Sequence, residues 1–115
     1  MREFIPDRGD CVWINFDPQI GREQAGRRPA LVISHRYYNA NSRLLICCPI
    51  TSRIKSYPFE VRIPEGQSVR GVVLADHVKS FDWRLREAEF ICSVPPQVVS
   101  DVIAKFQSII APVLT

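Results

Sequence analysis

Short apolar runs rich in β-branched residues recur along residues 11–94, and turn-forming residues separate them. These runs predict six β-strands, at 11–16, 29–34, 43–51, 58–63, 71–81 and 88–94. Several of them lack a clean alternation of apolar and polar residues, which indicates burial on both faces or a strongly curled sheet. Six short strands in so short a stretch predict a small barrel or sandwich rather than an alternating α/β fold.

The connections between these runs contain the residues that favour turns. Turns are predicted at Asp17-Pro18, Asn39–Asn41, Pro64–Gly66 and Arg70-Gly71.

The apolar pattern changes to a helical period after Pro95 and Pro96, two residues that suit the first turn of a helix. The apolar positions that follow form one stripe and comprise Val99, Val102, Ile103, Phe106, Ile109 and Ile110. The stripe predicts an amphipathic helix that ends near Pro112 and packs on the sheet or on a second copy of the chain.

Length and composition are those of one globular domain spanning residues 1–115. Hydrophobic residues make up 46% of the chain and charged residues 23%, values that argue against disorder. The longest apolar run, 44–50, is too short to cross a bilayer, and the N-terminus lacks the pattern of a secretory signal. We therefore expect a cytoplasmic protein.

The four cysteines occur in apolar, strand-like runs and not at the spacing of a metal or redox site. Cys47 and Cys48 are adjacent in one predicted strand, so their side chains should point to opposite faces of the sheet. Cys11 and Cys92 complete the set, and we expect all four to be free thiols packed as small hydrophobic groups. The two histidines have no partner at ligand spacing, so we expect no metal site.

Positive charge is concentrated in the middle of the chain, although the net charge is only +3. Residues 19–86 carry twelve Lys or Arg against five Asp or Glu, whereas each end of the chain carries an excess of two acidic groups. A polyanion or an acidic protein segment is the natural partner of such a basic face. An ordinary solvated surface is the alternative that charge alone leaves open.

The stretch "GREQAGRRPALVIS" at 21–34 places a glutamate and three arginines directly before an apolar strand. Gly21 and Gly26 allow backbone conformations closed to other residues and a close approach of a ligand. Pro29 disfavours the helical region at Arg28 and holds that residue in extended geometry. The guanidinium of Arg28 is therefore presented from a stiff position, where its planar fork matches a phosphate. Glu23 lies near enough in sequence to orient the fork or to accept a proton.

A second polar cluster follows the strand at 43–51. The hydroxyls of Thr51 and Ser52 stand where that strand ends, a place at which scaffolds commonly display functional groups. Arg53, Lys55 and Tyr57 come next, two cations and an aromatic ring that suit contact with a nucleic-acid backbone and base stacking.

The sequence resembles the MazF/PemK (Kid) family of toxin endoribonucleases. The matching stretches are "GDCVWINFDP", "GREQAGRRPALVIS", "CCPITS", "YPFEV", "GVVLADHVKSFDWR" and the closing helix after "VPP", and they cover nearly the whole chain. The resemblance implies a mainly β fold, a small SH3-like β-barrel with appended helices and a C-terminal helix packed on it, acting as a homodimer. Members cut single-stranded RNA, often at short sequences and without a metal or other cofactor, and an acidic MazE-like antitoxin holds them inactive.

The resemblance also implies roles for individual residues. The family's key arginine falls on Arg28, its key threonine on Thr51 and its supporting glutamate on Glu23. His77 lies where related sequences can carry glutamine. Further contacts to RNA are expected from Arg22, Arg27, Ser52, Arg53, Lys55, Tyr57, Asp76, His77 and Lys79.

Two alternatives concern the chemistry and the class of function. His35 and His77 would be an acid–base pair only if the fold brought them together, and we interpret His35 as a surface or packing residue. The identity of the general base is open, since arginine is too basic for the task and an ordinary glutamate is a weak base. The rival class is a non-catalytic SH3-like toxin that binds a protein target such as a gyrase.

Overall fold

A computed structural model describes residues 3–17 and 25–113, which form seven β-strands and two α-helices. The strands are β1 Asp10–Asn15, β2 Arg27–Val32, β3 Leu44–Thr51, β4 Glu60–Arg62, β5 Val72–Leu74, β6 Lys79–Asp82 and β7 Glu89–Ser93. The helices are α1 Arg36–Ser42 and α2 Pro96–Ile110.

All of the strand pairings are antiparallel, and the strand order is β4-β5-β3-β2-β1-β7 with β6 also paired to β3. Strand β3 is the longest and the most connected, because its first half pairs with β6 and its last two residues pair with β5. This sharing of one long strand curls the sheet. The expected mainly β fold with a C-terminal helix is confirmed.

Each face of the sheet has its own hydrophobic cluster. One cluster contains Leu31, Cys48 and Val73 and is covered by α2, which buries Val98, Val99 and Val102. The other contains Ile14, Val32, Phe81 and Trp83, and the N-terminal residues Phe4 and Ile5 pack against it. Burial on both faces explains why several apolar runs lack alternation. Neither helix of the described residues is long and apolar enough to cross a membrane.

Two predictions about the elements are wrong. Asn39–Asn41 is not a turn but lies inside α1, and the run at 71–81 is two strands separated by residues 75–78. Asn39 explains the first error because its side chain, fully buried, is bound on every side. Its Nδ2 donates to the carbonyl oxygens of Pro6 and Ser34 at 2.8 and 3.1 Å, and its Oδ1 accepts from Ser34 Oγ at 2.6 Å. A buried polar residue thus anchors a helix where a turn was predicted.

All four cysteines are free thiols, as predicted, and Cys47 and Cys48 belong to the two opposite clusters. Burial raises the pKa of the Cys48 thiol to about 12, and burial likewise raises the pKa values of Cys47 and Cys11. Because the thiolate is the reactive form, these three should resist a thiol reagent in the native protein near pH 8. Cys92, which is partly exposed, should react first, and all four should react in denaturant. Equal rates for Cys47 and Cys92, measured by mass spectrometry of timed alkylation, would contradict this burial.

Candidate active site

Arg28 and Thr51 are brought together by the register of β2 and β3. The ladder pairs Ala30 with Pro49 and Leu31 with Cys48. Continued by two residues, the same register places Arg28 opposite Thr51. Directly opposed residues of an antiparallel pair point to the same face of the sheet and lie close together. Two side chains 23 positions apart therefore meet at one edge of the structure.

The Arg28 guanidinium is held at its base and open at its tip. Its Nε donates a hydrogen bond of 2.6 Å to the Ala25 carbonyl oxygen. Within residues 3–17 and 25–113 its two terminal nitrogens form no hydrogen bond or ion pair, so they are available to an anion in the cleft. The extended backbone before Pro29 and this single bond fix the direction of the fork, as the sequence predicts.

Asp17 and Phe16, at the end of β1, are hydrogen-bonded to Gly26, directly before β2. The Gly26 amide donates to Asp17 Oδ1 at 2.7 Å, and the Phe16 amide donates to the Gly26 carbonyl oxygen at 2.8 Å. Gly26 adopts a φ of 73°, which favours glycine there. Arg86 Nη1 donates to the backbone carbonyl oxygens of Asn15 and Asp17 from the other side. The end of β1 is thus tied to the start of β2.

Thr51 ends β3, and its surroundings on the β5 side are unusually tight. Its Oγ1 accepts a hydrogen bond of 3.1 Å from the Arg53 amide, which turns the chain away from the sheet. Gly71 lies against the Thr51 backbone so closely that a Cβ at residue 71 would stand 2.0 Å from the Thr51 carbonyl oxygen. The position of Thr51 is therefore defined from both sides.

Arg28 and Thr51 open into a cleft of about 750 Å³. Six residues predicted for the site line it, namely Arg28, Thr51, Arg53, Lys55, Tyr57 and His77. Four more were not predicted, namely Ser56, Pro58, Glu60 and Leu74. The structure thus gathers both sequence clusters, at 28 and at 51–57, around one space.

Among residues 3–17 and 25–113, the charges that line the cleft are three cations and one carboxylate. Arg28, Arg53 and Lys55 supply the positive charge, and Glu60 supplies the negative charge. Glu60 Oε2 accepts a hydrogen bond of 3.1 Å from the Lys55 amide and so supports the segment at 52–58. Glu60 was not predicted from the sequence. A signal was present: Glu60 lies two residues before the exposed Arg62 in the same strand, so the two side chains share the open face of the sheet.

Tyr57, Asp76 and His77 form a small network at one side of the cleft. The Tyr57 hydroxyl donates to Asp76 Oδ2 at 2.9 Å, and this bond raises the pKa of the Tyr57 phenol. His77 Nε2 lies 3.9 Å from Asp76 Oδ1, a buried oxygen without a hydrogen-bond partner among the described residues. The network joins the segment at 52–58 to the turn after β5.

The remaining predicted site residues stand elsewhere or outside the described part of the chain. Arg27 alternates with Arg28 along β2 and pairs with Glu89 of β7 at 2.6 Å, away from the cleft. Ser52 is exposed beside Thr51, and Lys79 is half-buried on β6 opposite Cys47, and neither lines the cleft. Arg22 and Glu23 lie outside the described residues, as does Pro18 of the predicted first turn.

His35 and His77 do not meet in one site. His35 is exposed, borders a separate cavity with Asp7 and Ser100, and stacks on Tyr37 with ring centroids 5.9 Å apart. Across residues 3–17 and 25–113 no three His, Cys, Asp or Glu side chains are grouped as metal ligands would be. What the cleft offers chemically is a fixed guanidinium, a hydroxyl and further cations, a set suited to a phosphate diester.

Comparison with known proteins gives the same family over nearly the whole chain. The sequence model of the PemK-like, MazF-like toxins of type II toxin–antitoxin systems matches residues 7–110. The chain is 45% identical over 110 residues to the endoribonuclease toxin MazF of Escherichia coli K12, covering 96% of this chain and 98% of the relative.

Solved structures agree in fold. A crystal structure of MazF from Deinococcus radiodurans is 50% identical and superposes with a TM-score of 0.92, covering 96% of this chain and all of that one. A MazE–MazF complex from the same organism, also 50% identical and with the same coverage, gives a TM-score of 0.87. With the cleft, the fold and the sequence in agreement, the chain belongs to the PemK-like, MazF-like toxins of type II toxin–antitoxin systems.

Proposed function

We propose that this chain is a sequence-specific, metal-independent endoribonuclease that cleaves single-stranded RNA by attack of the 2′-hydroxyl on the adjacent phosphate. The observation that carries the proposal is the convergence of Arg28 and Thr51 on one basic cleft, with the Arg28 fork fixed by Ala25 and its terminal nitrogens without a partner among residues 3–17 and 25–113. The whole of residues 1–115 would form a single toxin domain acting in the cytoplasm.

The reaction needs alignment and charge stabilisation more than a protein nucleophile. The 2′-oxygen forms a bond to phosphorus while the bond from phosphorus to the 5′-oxygen breaks. The 2′-hydroxyl gives up its proton and the departing 5′-oxygen gains one, which leaves a 2′,3′-cyclic phosphate and a 5′-hydroxyl end. Arg28 neutralises the charge that grows on the phosphoryl oxygens, and the Thr51 hydroxyl donates to one of the nonbridging oxygens.

Other residues of the cleft hold the strand. Arg53 and Lys55 contact neighbouring phosphates, and Tyr57 and His77 offer flat rings to unstacked bases. In the same proposal Arg22, Ser52, Asp76 and Lys79 contribute contacts at the edge of the site, whereas Arg27 pairs with Glu89 away from the cleft.

For proton transfer from the 2′-hydroxyl, the resemblance implies Glu23 as a supporting glutamate and leaves the identity of the general base open. Glu60 is the one carboxylate that lines the cleft among the described residues. Because Glu60 accepts a hydrogen bond from the Lys55 amide and so supports the 52–58 segment, we assign it a structural role and not that of the proton acceptor.

An acidic MazE-like antitoxin is the proposed inhibitor. A relative of this chain has been solved in complex with MazE. The basic cleft suits an acidic, partly disordered segment that covers Arg28 and displaces the 52–58 segment. Among the described residues, that segment is held from outside by the phenol of Tyr57, by the side chain of Lys105, which donates to the Pro58 carbonyl oxygen at 2.7 Å, and by hydrogen bonds to Thr51 and Glu60.

A homodimer completes the proposal. The last turn of α2 leaves apolar side chains in solvent, with Ile109 48% and Ile110 60% exposed, and Val113 beyond it is 86% exposed. Such a cluster at the end of the helix supports burial against a second copy of the chain.

The test is cleavage of a long single-stranded RNA in EDTA, with the product ends mapped. We expect cuts at one recurring short sequence, and cyclic phosphate and 5′-hydroxyl ends. A matched strand with 2′-deoxyribose at the cut nucleotide should stay intact because it lacks the nucleophile. No cleavage by folded, antitoxin-free protein would favour the rival class, a toxin that binds a protein. Cleavage that leaves 5′-phosphate ends would contradict the chemistry while leaving a nuclease.

A further inference from the structure

Arg62 lies in line with Arg28 and Thr51 across the strands of the sheet. Thr51 of β3 is paired with Val72 of β5, and Val72 is paired with Arg62 of β4. Since directly opposed residues share a face, the Arg62 side chain leaves the sheet on the face that carries Arg28 and Thr51. Three strand spacings separate β2 from β4, which is roughly 14 Å along the sheet.

Arg62 borders a separate cavity of about 470 Å³ beyond the cleft. The cavity lies between Ile54 and the β4–β5 hairpin, and Arg70 and Glu65 of the hairpin also line it. Ile54 separates the two spaces, because its neighbours Arg53 and Lys55 face the cleft. The cavity is therefore the next concave surface along the chain segment that forms the cleft wall.

The two arginines of this cavity are not used by the fold. Both Arg62 and Arg70 are exposed, and among residues 3–17 and 25–113 neither has an ion pair or a side-chain hydrogen bond. Most other arginines of the described residues are engaged, as Arg27 is with Glu89 and Arg84 is with Glu3. Among the residues that the structure describes, the one opposing charge that lines the cavity is Glu65, which leaves an excess of positive charge.

We propose that this cavity is a second phosphate-binding site for the RNA strand, in which Arg62 and Arg70 hold the backbone of nucleotides beyond the cleft. The proposal rests on the proposed function and extends it: the strand would run from the cleft past Ile54, which is 43% exposed, to Arg62. Arginine forks suit phosphate oxygens. Glu65 faces the same space and opposes the strand, which limits the affinity of the site.

The test measures binding of a mixed-sequence, fully 2′-O-methyl RNA, which lacks the nucleophile and cannot be cut. The short strand has about 3 nucleotides, too few to occupy both the cleft and a site roughly 14 Å away, and the long strand has about 16. The Arg62→Ala/Arg70→Ala double variant should bind the long strand more weakly and the short strand as the wild type does. For single strands, the logarithm of the binding constant falls with the logarithm of the salt concentration, with a slope of about 0.7 per phosphate contact. The loss of two contacts should therefore reduce this slope by about 1.4. The ratio of the wild-type affinity to the variant's affinity should then shrink about 7-fold between about 50 mM and about 200 mM salt.

Two further variants sharpen the result. Glu65→Gln should strengthen binding of the long strand because it removes the opposing charge. Arg8→Ala removes an exposed arginine just before β1 and should leave the binding of both RNA strands unchanged. Thermal unfolding of each variant confirms that it is folded.

Several outcomes would overturn the proposal. An unchanged salt slope in the double variant, or equal weakening for both strand lengths, would mean that no separate phosphate site exists. Loss of antitoxin binding with unaltered RNA binding would assign the cavity to an acidic peptide instead. RNA cleavage by the wild type together with an unchanged slope overturns this site alone. Binding of the long strand that depends on Arg62 and Arg70, without any cleavage by the wild type, overturns the proposed function alone.

Discussion

Replacement of Arg28 by alanine should lower the rate of RNA cleavage by about 10³-fold or more, the range found for a charged group that stabilises a transition state. The guanidinium is fixed by its bond to the Ala25 carbonyl oxygen, and Arg28 lines the cleft. Its contribution grows as charge develops on phosphorus, so kcat should fall much more than the affinity for an uncleavable strand. Single-turnover cleavage and binding to a 2′-O-methyl strand measure the two quantities separately.

Arg28→Lys and Arg8→Ala are the matched controls for this experiment. Lysine keeps the charge but loses the fork and the bond from Nε, so the cleavage rate should lie between those of the wild type and Arg28→Ala. Arg8 lies before the start of β1, whereas Arg28 pairs with Ile14 near its end. Arg8→Ala therefore loses the same charge without touching the cleft and should cleave normally. Full cleavage by Arg28→Ala would remove Arg28 from the mechanism.

Replacement of Gly71 by alanine should destabilise the protein by about 3 kcal/mol or more, because two penalties coincide. Gly71 has a φ of 108°, a conformation that alanine rarely adopts. The new Cβ would also stand 2.0 Å from the Thr51 carbonyl oxygen and 2.8 Å from Ser52 Cα, so the backbone must move. A fall in the Tm of about 10 °C or more is expected for a domain of this size. Activity should fall as well, since the displacement falls on Thr51.

Gly66→Ala is the control that separates the clash from the backbone strain. Gly66 has a φ of 92°, but no atom lies within 4 Å of a Cβ built there. Only the conformational penalty applies, roughly 1 kcal/mol. If both variants lost the same stability in thermal or denaturant unfolding, the tight approach of Gly71 to Thr51 would be of no consequence.

The sequence predicted the elements that have a strong apolar period and failed where the period is weak. The stripe that begins at Val99 is long enough to identify α2, and the six apolar runs locate the strands. Helix α1 has only seven residues, and its one buried side chain belongs to Asn39, so its polar pattern is indistinguishable from that of a turn. The run at 71–81 contains no Pro or internal Gly to mark the break before β6. In α1 and at residues 75–78, the backbone conformation is determined by hydrogen bonds to other parts of the fold.

The candidate site could be predicted as a set of residue types but not as an arrangement. Arg28 and Thr51 stand out because a strand begins at one and ends at the other, and the register of β2 and β3 then brings them together. Arg27 was also predicted to contact RNA, but alternation along β2 directs its side chain away from the cleft, where it pairs with Glu89. Glu60 was missed because alternation with Arg62 places it on the open face of β4 but does not show that this face lines the cleft.

The segment at 52–58 has a consequence for how relatives of this protein diverge. All seven of its residues are exposed, and it belongs to neither hydrophobic cluster. Substitutions there alter the wall of the cleft without emptying or overfilling a core. New preferences for the bound strand can therefore arise in a few steps while the folded state stays intact. The same fold, with Arg28 and Thr51 in the same positions, is thus compatible with many different sequences in the segment at 52–58.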